Sequence, residues 1–327
     1  MRYRYCVPDQ SSPDSLERII VVPRNGYANR LQSWASAAIL GAEFNVPVHV
    51  LWEPEKIAVS PTRALFDSDL IEQSFISSSE FIDLTGRAHQ EFPRYLYLDP
   101  EQNVMSLAGH DRGEQGFMLN LMEKLNSNEH AKTLVITAGG KFHVPGVLDF
   151  DAKRRQFYAG IQWSPQIREA VDQLLEDQEF YIGTHWRQTD RSIAAPTRSS
   201  MESAAVILSR LFHTKSVFVA ADGQVGSAQL SAALHARGLQ PWSSTVASFD
   251  RTSDLAGVGA IIDWILLGRA QAIAYSSESS FGHEAAVATG HLPESIGLRA
   301  SRELQTVRAV MERFNHLLGY LKRQQSG

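Results

Sequence analysis

A chain of 327 residues with 43% hydrophobic and 20% charged residues has a globular composition, and it is long enough for two cores, because single cores stop growing at roughly 250–300 residues. Its formal net charge of −5 excludes a global field that would gather nucleic acid or an anionic membrane, so any anion site must be local. The single cysteine, Cys6, excludes an intrachain disulfide and fits a reducing compartment.

Residues 1–18 contain no apolar run of signal-peptide type. The longest apolar candidate, "LAGVGAIIDWILLGRAQAIAY", is interrupted by Asp263 and Arg269. These observations lead us to expect a soluble cytoplasmic protein with no membrane anchor.

In chain order, "RIIVV" at 18–22 reads as a buried strand, "PRNGYANR" as a turn, "LQSWASAAILGAEF" as a helix and "VPVHVLW" as a second strand. Strand, glycine turn, helix and strand make a βαβ unit with a parallel sheet. Residues 53–130 are polar and weakly periodic, with short strands expected at 94–98 and 133–138. The segment "GGKFHVPGVLDFDAKRR" carries glycines, prolines and charges, and it puts the expected domain boundary at 154/155, giving domains 1–154 and 155–327.

The second half alternates regularly. Helices are expected around 164–177, 200–212, 224–238 and 255–270, and strands at "FYIGTHW", "SVFVAAD" and "QAIAYSS". Both halves therefore read as doubly wound α/β sheets. The tail 302–324 carries Leu304, Val307, Val310, Met311, Phe314, Leu317, Leu318 and Leu321 on one stripe, the pattern of a C-terminal amphipathic helix.

In open α/β sheets, ligands bind beyond the carboxyl ends of strands. Three strands of the second half end in "THWRQTDR", "AADGQ" and "SSESSFGHEA". Arg187 presents a planar fork that matches a phosphate, unless it only pairs with Asp190 or Asp222 at the surface. Ser279 and Ser280 precede a helix, where hydroxyls and unpaired N–H groups cradle an anion, although a serine there also serves as a plain N-cap. Together, the arginine and the helix start favour a diphosphate. Asp263 interrupts an apolar helix, where it faces solvent, holds an ion pair, or accepts from a ligand such as the N–H groups of guanine. His185 is either an ordinary satisfied histidine or, two residues before Arg187, a group whose backbone or ring approaches the same base.

In the first half, Gly26 permits a positive φ or close backbone approach, and Asn29 opens the following helix toward a ligand. Trp52 and Glu53 end a predicted strand and are candidate walls of an acceptor pocket. Two DxD patterns, Asp67 with Asp69 and Asp149 with Asp151, follow no convincing buried strand, and no metal site is assigned to them. No CxxC, HExxH, GxxxxGK[ST] or GxSxG pattern occurs.

Taken together, "GTHWRQTD", "AADG", "IIDWILLGRA" and "SSESSFGHEA", in that order, resemble the second-domain motifs of the fucosyltransferase group that includes NodZ, core α1,6-fucosyltransferases and protein O-fucosyltransferases. "GYANRLQSWASA" is similar to that group's entry to its first domain. The resemblance implies a GT-B fold, two Rossmann-like domains facing a cleft, with a nucleotide sugar held mainly by the C-terminal domain. It also implies that Arg187 holds the β-phosphate, Ser279 and Ser280 the diphosphate, and His185 and Asp263 the guanine, with Gly26 and Asn29 reaching the donor from the other domain. The chain departs from the group in having Gln188 where core fucosyltransferases have a second arginine, Gly223 in place of an acid, and Ala194 and Ala195 near the position of their acidic base.

The resulting expectation is an inverting, metal-independent glycosyltransferase that moves fucose from GDP-fucose to a hydroxyl or amine of a soluble glycan, peptide or small metabolite. It would use the GDP-sugar as co-substrate and no cofactor. Asp190, Glu53 and Asp222 are the candidate bases. The alternatives are a nucleotide-sugar-binding module without catalysis, a transferase with another donor, and a metal-dependent transferase built on a DxD.

Overall fold

A computed structural model of the chain describes residues 16–299 apart from 56–57, 93–96, 100, 102–103, 110–130, 145, 189–194 and 245–252. Cys6, the amphipathic stretch 302–324 and Asp190 lie outside the described residues. The chain divides into two compact units. Unit one is Met1–Asp172 with Val246–Ile262, and unit two is Gln173–Thr245 with Asp263–Gly327.

Unit one holds a five-stranded sheet of β1 (Arg18–Pro23), β2 (Val48–Val50), β3 (Tyr97–Asp99), β4 (Val104–Gly109) and β5 (Thr133–Ala138), in the order β2-β1-β5-β4-β3. β1 runs parallel to β2 and β5, β4 runs parallel to β5, and only the edge strand β3 is antiparallel. Ile19, Ile20, Val21 and Val22 are all buried, as expected of a central strand covered on both faces. Helix α1 (Tyr27–Phe44) makes the crossover from β1 to β2 and ends at Asn45, whose left-handed φ of 52° stops the helix.

The stretch that reads as irregular in sequence contains three short helices, α2 (Thr62–Leu65), α3 (Ser68–Ser74) and α4 (Ser78–Thr85), and a 3₁₀ turn at His89–Glu91. α4 begins with a capping box between Ser77 and Glu80. Helix α5 (Phe150–Ala159) follows β5 and packs on α1 through Phe157 against Trp34, with Lys153 paired to Glu43. That packing keeps the segment with unit one, so the unit limit lies beyond the boundary expected at 154/155. Helix α6 (Pro165–Leu175) carries the chain across the limit.

Unit two holds β6 (Ile182–Trp186), α7 (Arg198–Leu211), β7 (Ser216–Ala221), α8 (Gln224–Ala236), β8 (Gln240–Trp242), the second half of α9 (Asp254–Arg269), whose residues up to Ile262 count with unit one, β9 (Ile273–Ser276), α10 (Ser280–Thr289) and β10 (Ile296–Leu298). The strand order is β10-β9-β6-β7-β8, all parallel. This is the doubly wound arrangement, and its direction of winding reverses between β6 and β9. Gly183 permits the close approach of β9 and α9, since a Cβ there would lie 2.7 Å from Ile273 and 2.9 Å from Leu267. The reversal point is where such a sheet leaves a crevice at its carboxyl edge.

Candidate functional site

The carboxyl edge of unit two brings together most of the residues singled out in the sequence. Past β6, the backbone N–H of Arg187 donates to Ser276 Oγ at 3.1 Å, and that of Gln188 donates to Asp222 Oδ1 at 2.8 Å. Successive amides of one loop are thus held by β9 on one side and by the end of β7 on the other. Asp222 is committed to this tie. The Gln188 carboxamide lies over Gly226 of α8, where an added Cβ would overlap its Oε1.

His185 is only 5% exposed, and its ring lies tilted over Phe281 with centroids 5.0 Å apart. Burial pushes its pKa down to about 4; Asp222 opposes this and Arg187 adds to it. The imidazole is therefore neutral at pH 7. Its Nδ1 is buried and has no hydrogen-bond partner among the described residues.

Two more such atoms lie on the neighbouring strand end. Ser279 occupies the N-cap position of α10, yet its side chain makes no capping bond, and its hydroxyl is buried without a partner among the described residues. The Ser277 hydroxyl is in the same state. Ser280, half-buried, is the first residue of the helix. An unpartnered buried hydroxyl costs free energy that a ligand's acceptor oxygen would recover. The plain N-cap role considered for Ser279 is thereby set aside.

Asp263 lies in the middle of α9 and accepts a hydrogen bond from Ser244 Oγ. Burial raises its pKa to about 7, while the Ser244 bond works in the opposite direction. Sequence reasoning missed Ser244, Ser276 and Ser277. The serine run before α10 was the available signal for the last two, whereas nothing local marks Ser244.

The carboxyl edge of unit one carries a charged network around the turn after β1. The left-handed residue of this turn is Asn25, with φ 68°, and not Gly26, whose φ is −69°. Asparagine tolerates that conformation, and its Nδ2 donates to Gly139 O at 3.0 Å, which fixes it there. Gly26 faces open space at the N-cap of α1, and Asn29 is half-buried in the first turn of the helix.

Arg30 is wholly buried. Its Nε donates to Asn25 O at 2.9 Å, its Nη2 lies 3.4 Å from Glu55, and its guanidinium sits 4.9 Å over the Trp52 ring. Trp52, expected as a pocket wall, is 7% exposed and packs among Tyr27, Phe66 and Phe75 beneath Arg30. Glu55 also pairs with Arg24 and accepts from the Asn25 N–H at 3.0 Å.

Glu53 is partly exposed and is approached by Ser78 Oγ at 3.2 Å, His89 Nδ1 at 3.3 Å and Gln90 Nε2 at 3.4 Å. One acid of each DxD pattern is engaged elsewhere. Asp67 caps α3 and pairs with Arg168, and Asp151 pairs with Arg154. Among the described residues no group of His, Cys, Asp and Glu side chains is arranged to hold a metal ion.

No sequence-family model and no characterised protein matches the sequence. Solved structures do match in fold. POFUT1 in its apo form is 13% identical with a TM-score of 0.56, over 88% of this chain and 99% of that one. NodZ α-1,6-fucosyltransferase soaked with GDP-fucose is 18% identical with a TM-score of 0.55, over 83% of this chain and 92% of that one. The fucosyltransferase NodZ from Bradyrhizobium is 18% identical with a TM-score of 0.54, over 82% and 92%. At such identities the likeness is one of fold, and by it the chain has the fucosyltransferase-like GT-B fold.

Proposed function

We propose that the protein is an inverting glycosyltransferase that uses a GDP-sugar, GDP-fucose by preference, and passes the sugar to a hydroxyl or amine of a glycan, peptide or small metabolite. The observation that carries this reading is the set of buried, unpartnered polar atoms of His185, Ser277 and Ser279, gathered where the winding of the sheet reverses. Proteins of the same fold have been crystallised with GDP and with GDP-fucose, which supports the choice of donor.

As the anomeric bond breaks, negative charge builds on the β-phosphate oxygens. Arg187 and the N-terminus of α10 with Ser279 and Ser280 would stabilise that charge, a contribution of about 3 kcal/mol per well-placed donor. Fixed cations and dipoles of this kind serve without a divalent ion. Asp263, when ionised, accepts from the paired N–H groups of guanine, and neutral His185 offers a ring nitrogen to the same base.

A binding module without turnover is the second reading. Gln188 favours it, because it stands where the core fucosyltransferase motif that the sequence resembles has a second arginine, and its carboxamide rests on Gly226.

Calorimetric titration with GDP, UDP and ADP in EDTA tests the donor claim. Selective binding of GDP is expected. Equal affinity for all three, or none, would overturn it. Release of sugar from GDP-fucose then separates the transferase from the module.

A further inference from the structure

From the carboxylate inside α9 we infer that Ser244 is a positioning residue for base recognition: it holds Asp263 in the orientation that accepts both N–H groups on the edge of guanine. The inference rests on the donor reading above and deepens it. Ser244 and Asp263 both count with unit two, so the pair is complete within one unit.

Among the described residues Ser244 is the one hydrogen-bond partner of Asp263, and its hydroxyl donates to Oδ1. Ser244 is 9% exposed and Asp263 is half-buried, so the bond is shielded from water while the acid is not sealed off. The outer torsion of an aspartate is broad, and a carboxylate without a partner turns about it. A hydroxyl on Oδ1 fixes the plane of the group. It leaves Oδ2 and the second lone pair of Oδ1 to accept from a ligand. Two coplanar acceptors match a base with two adjacent donors. Guanine offers its ring N–H and its amine, whereas hypoxanthine offers the ring N–H alone.

The same bond also acts on the charge of the acid. Burial raises the pKa of Asp263 to about 7 and Ser244 works against this, with no charged group among the described residues acting on the carboxyl. The titratable side chains of the elements around α9 are engaged with others. Tyr27 is bonded to Ser60, and Tyr181 donates to Leu266 O and feels Arg269. Tyr275 feels Glu284, and His185 feels Asp222 and Arg187. A protonated carboxyl turns one of its two acceptors into a donor, so it cannot take both N–H groups of guanine. Loss of the Ser244 bond therefore frees the plane and also favours the form that does not read the base.

Calorimetry with GDP and with inosine diphosphate, at a series of pH values across neutrality, tests the role, and thermal melting checks that each variant is folded. Wild type is expected to prefer GDP by roughly 10–100-fold, a preference that grows as pH rises through about 7. Ser244→Ala is expected to cut the preference by about 10-fold and to move the midpoint of its pH dependence upward. Ser244→Cys keeps the volume with a weak donor and should behave in the same way, so either variant decides if the other fails to fold. Ser244→Thr retains the hydroxyl and is expected to restore both preference and midpoint. If the variants lose affinity for both diphosphates equally, with an unmoved midpoint, the hydroxyl serves packing and the inference is overturned. If they match wild type, the inference falls and the donor reading stands. The same holds if wild type selects GDP over UDP and ADP yet binds inosine diphosphate equally well. If wild type binds no diphosphate, the donor reading falls and takes this inference with it.

Discussion

The backbone N–H of Arg187, the first residue past β6, donates to Ser276 Oγ at the end of β9, 3.1 Å away. The bond spans the one place in the sheet of unit two where the winding reverses, so it sets the direction in which Arg187 leaves the strand. Arg187→Ala keeps this amide bond and removes the guanidinium. GDP is expected to bind on the order of 10–100-fold more weakly, with Tm moving by less than about 2 °C. Calorimetry and thermal melting check both. Ser276→Ala should show the converse balance, a stability loss of about 1 kcal/mol and a smaller effect on affinity.

Ser279→Ala separates a ligand role from a structural one. Its hydroxyl is buried, makes no capping bond and has no partner among the described residues, so its removal should leave stability unchanged or raise it by up to about 1 kcal/mol. GDP affinity should nonetheless fall by roughly 10-fold. A drop in stability without a change in affinity would return the residue to a plain helix start.

His185 and Asp263 should produce opposing pH dependences of stability. His185 is moved from 6.5 to about 4, so its contribution is present above 6.5 and is lost as pH falls through 4. Asp263 is moved from 3.8 to about 7, so its contribution is present below 3.8 and is lost as pH rises through 7. Between about 4 and 6.5 the two slopes cancel. Asp263→Asn should therefore give a Tm that rises with pH across this window, and His185→Gln one that falls. GDP binding to wild type should strengthen as pH rises through about 7, since the guanine contact needs the carboxylate.

Gly257 of α9 lies against Tyr27 and Ser60, and an added Cβ would overlap both hydroxyls. The two hydroxyls are bonded to each other at 2.9 Å, so neither yields without loss. Gly257→Ala should destabilise the protein by about 1–3 kcal/mol in chemical denaturation. Gly26→Ser serves as the contrast. It meets open space at a position where serine is a good N-cap, and it should be neutral or slightly stabilising.

The regular half of the fold was legible because its strands are short apolar runs covered on both faces, as in "SVFVAA", set between helices with caps and stripes. Gly238, at the end of the helix expected around 224–238, has the left-handed φ of 78° that suits a helix close. The helices of unit one between β2 and β3 escaped notice because four to eight residues carry little periodicity. The capping box of Ser77 and Glu80 and the N-cap Asp67 were their local signs. Among the site residues, Arg187, His185 and Ser279 were found because they end strands or begin helices. His89 was not, since it lies 65 positions from Arg24 and only the folded chain joins them.

The carboxamide of Gln188 resting on Gly226 restricts how this chain can change. An arginine substituted at 188 would carry a longer, charged side chain over a helix surface shaped to receive a small neutral amide. The restriction falls first on position 226, where any residue larger than glycine would have to displace the Gln188 carboxamide. The loop after β6 and the first turn of α8 are thus bound to change together when 226 changes, although nothing in the sequence near either position announces it.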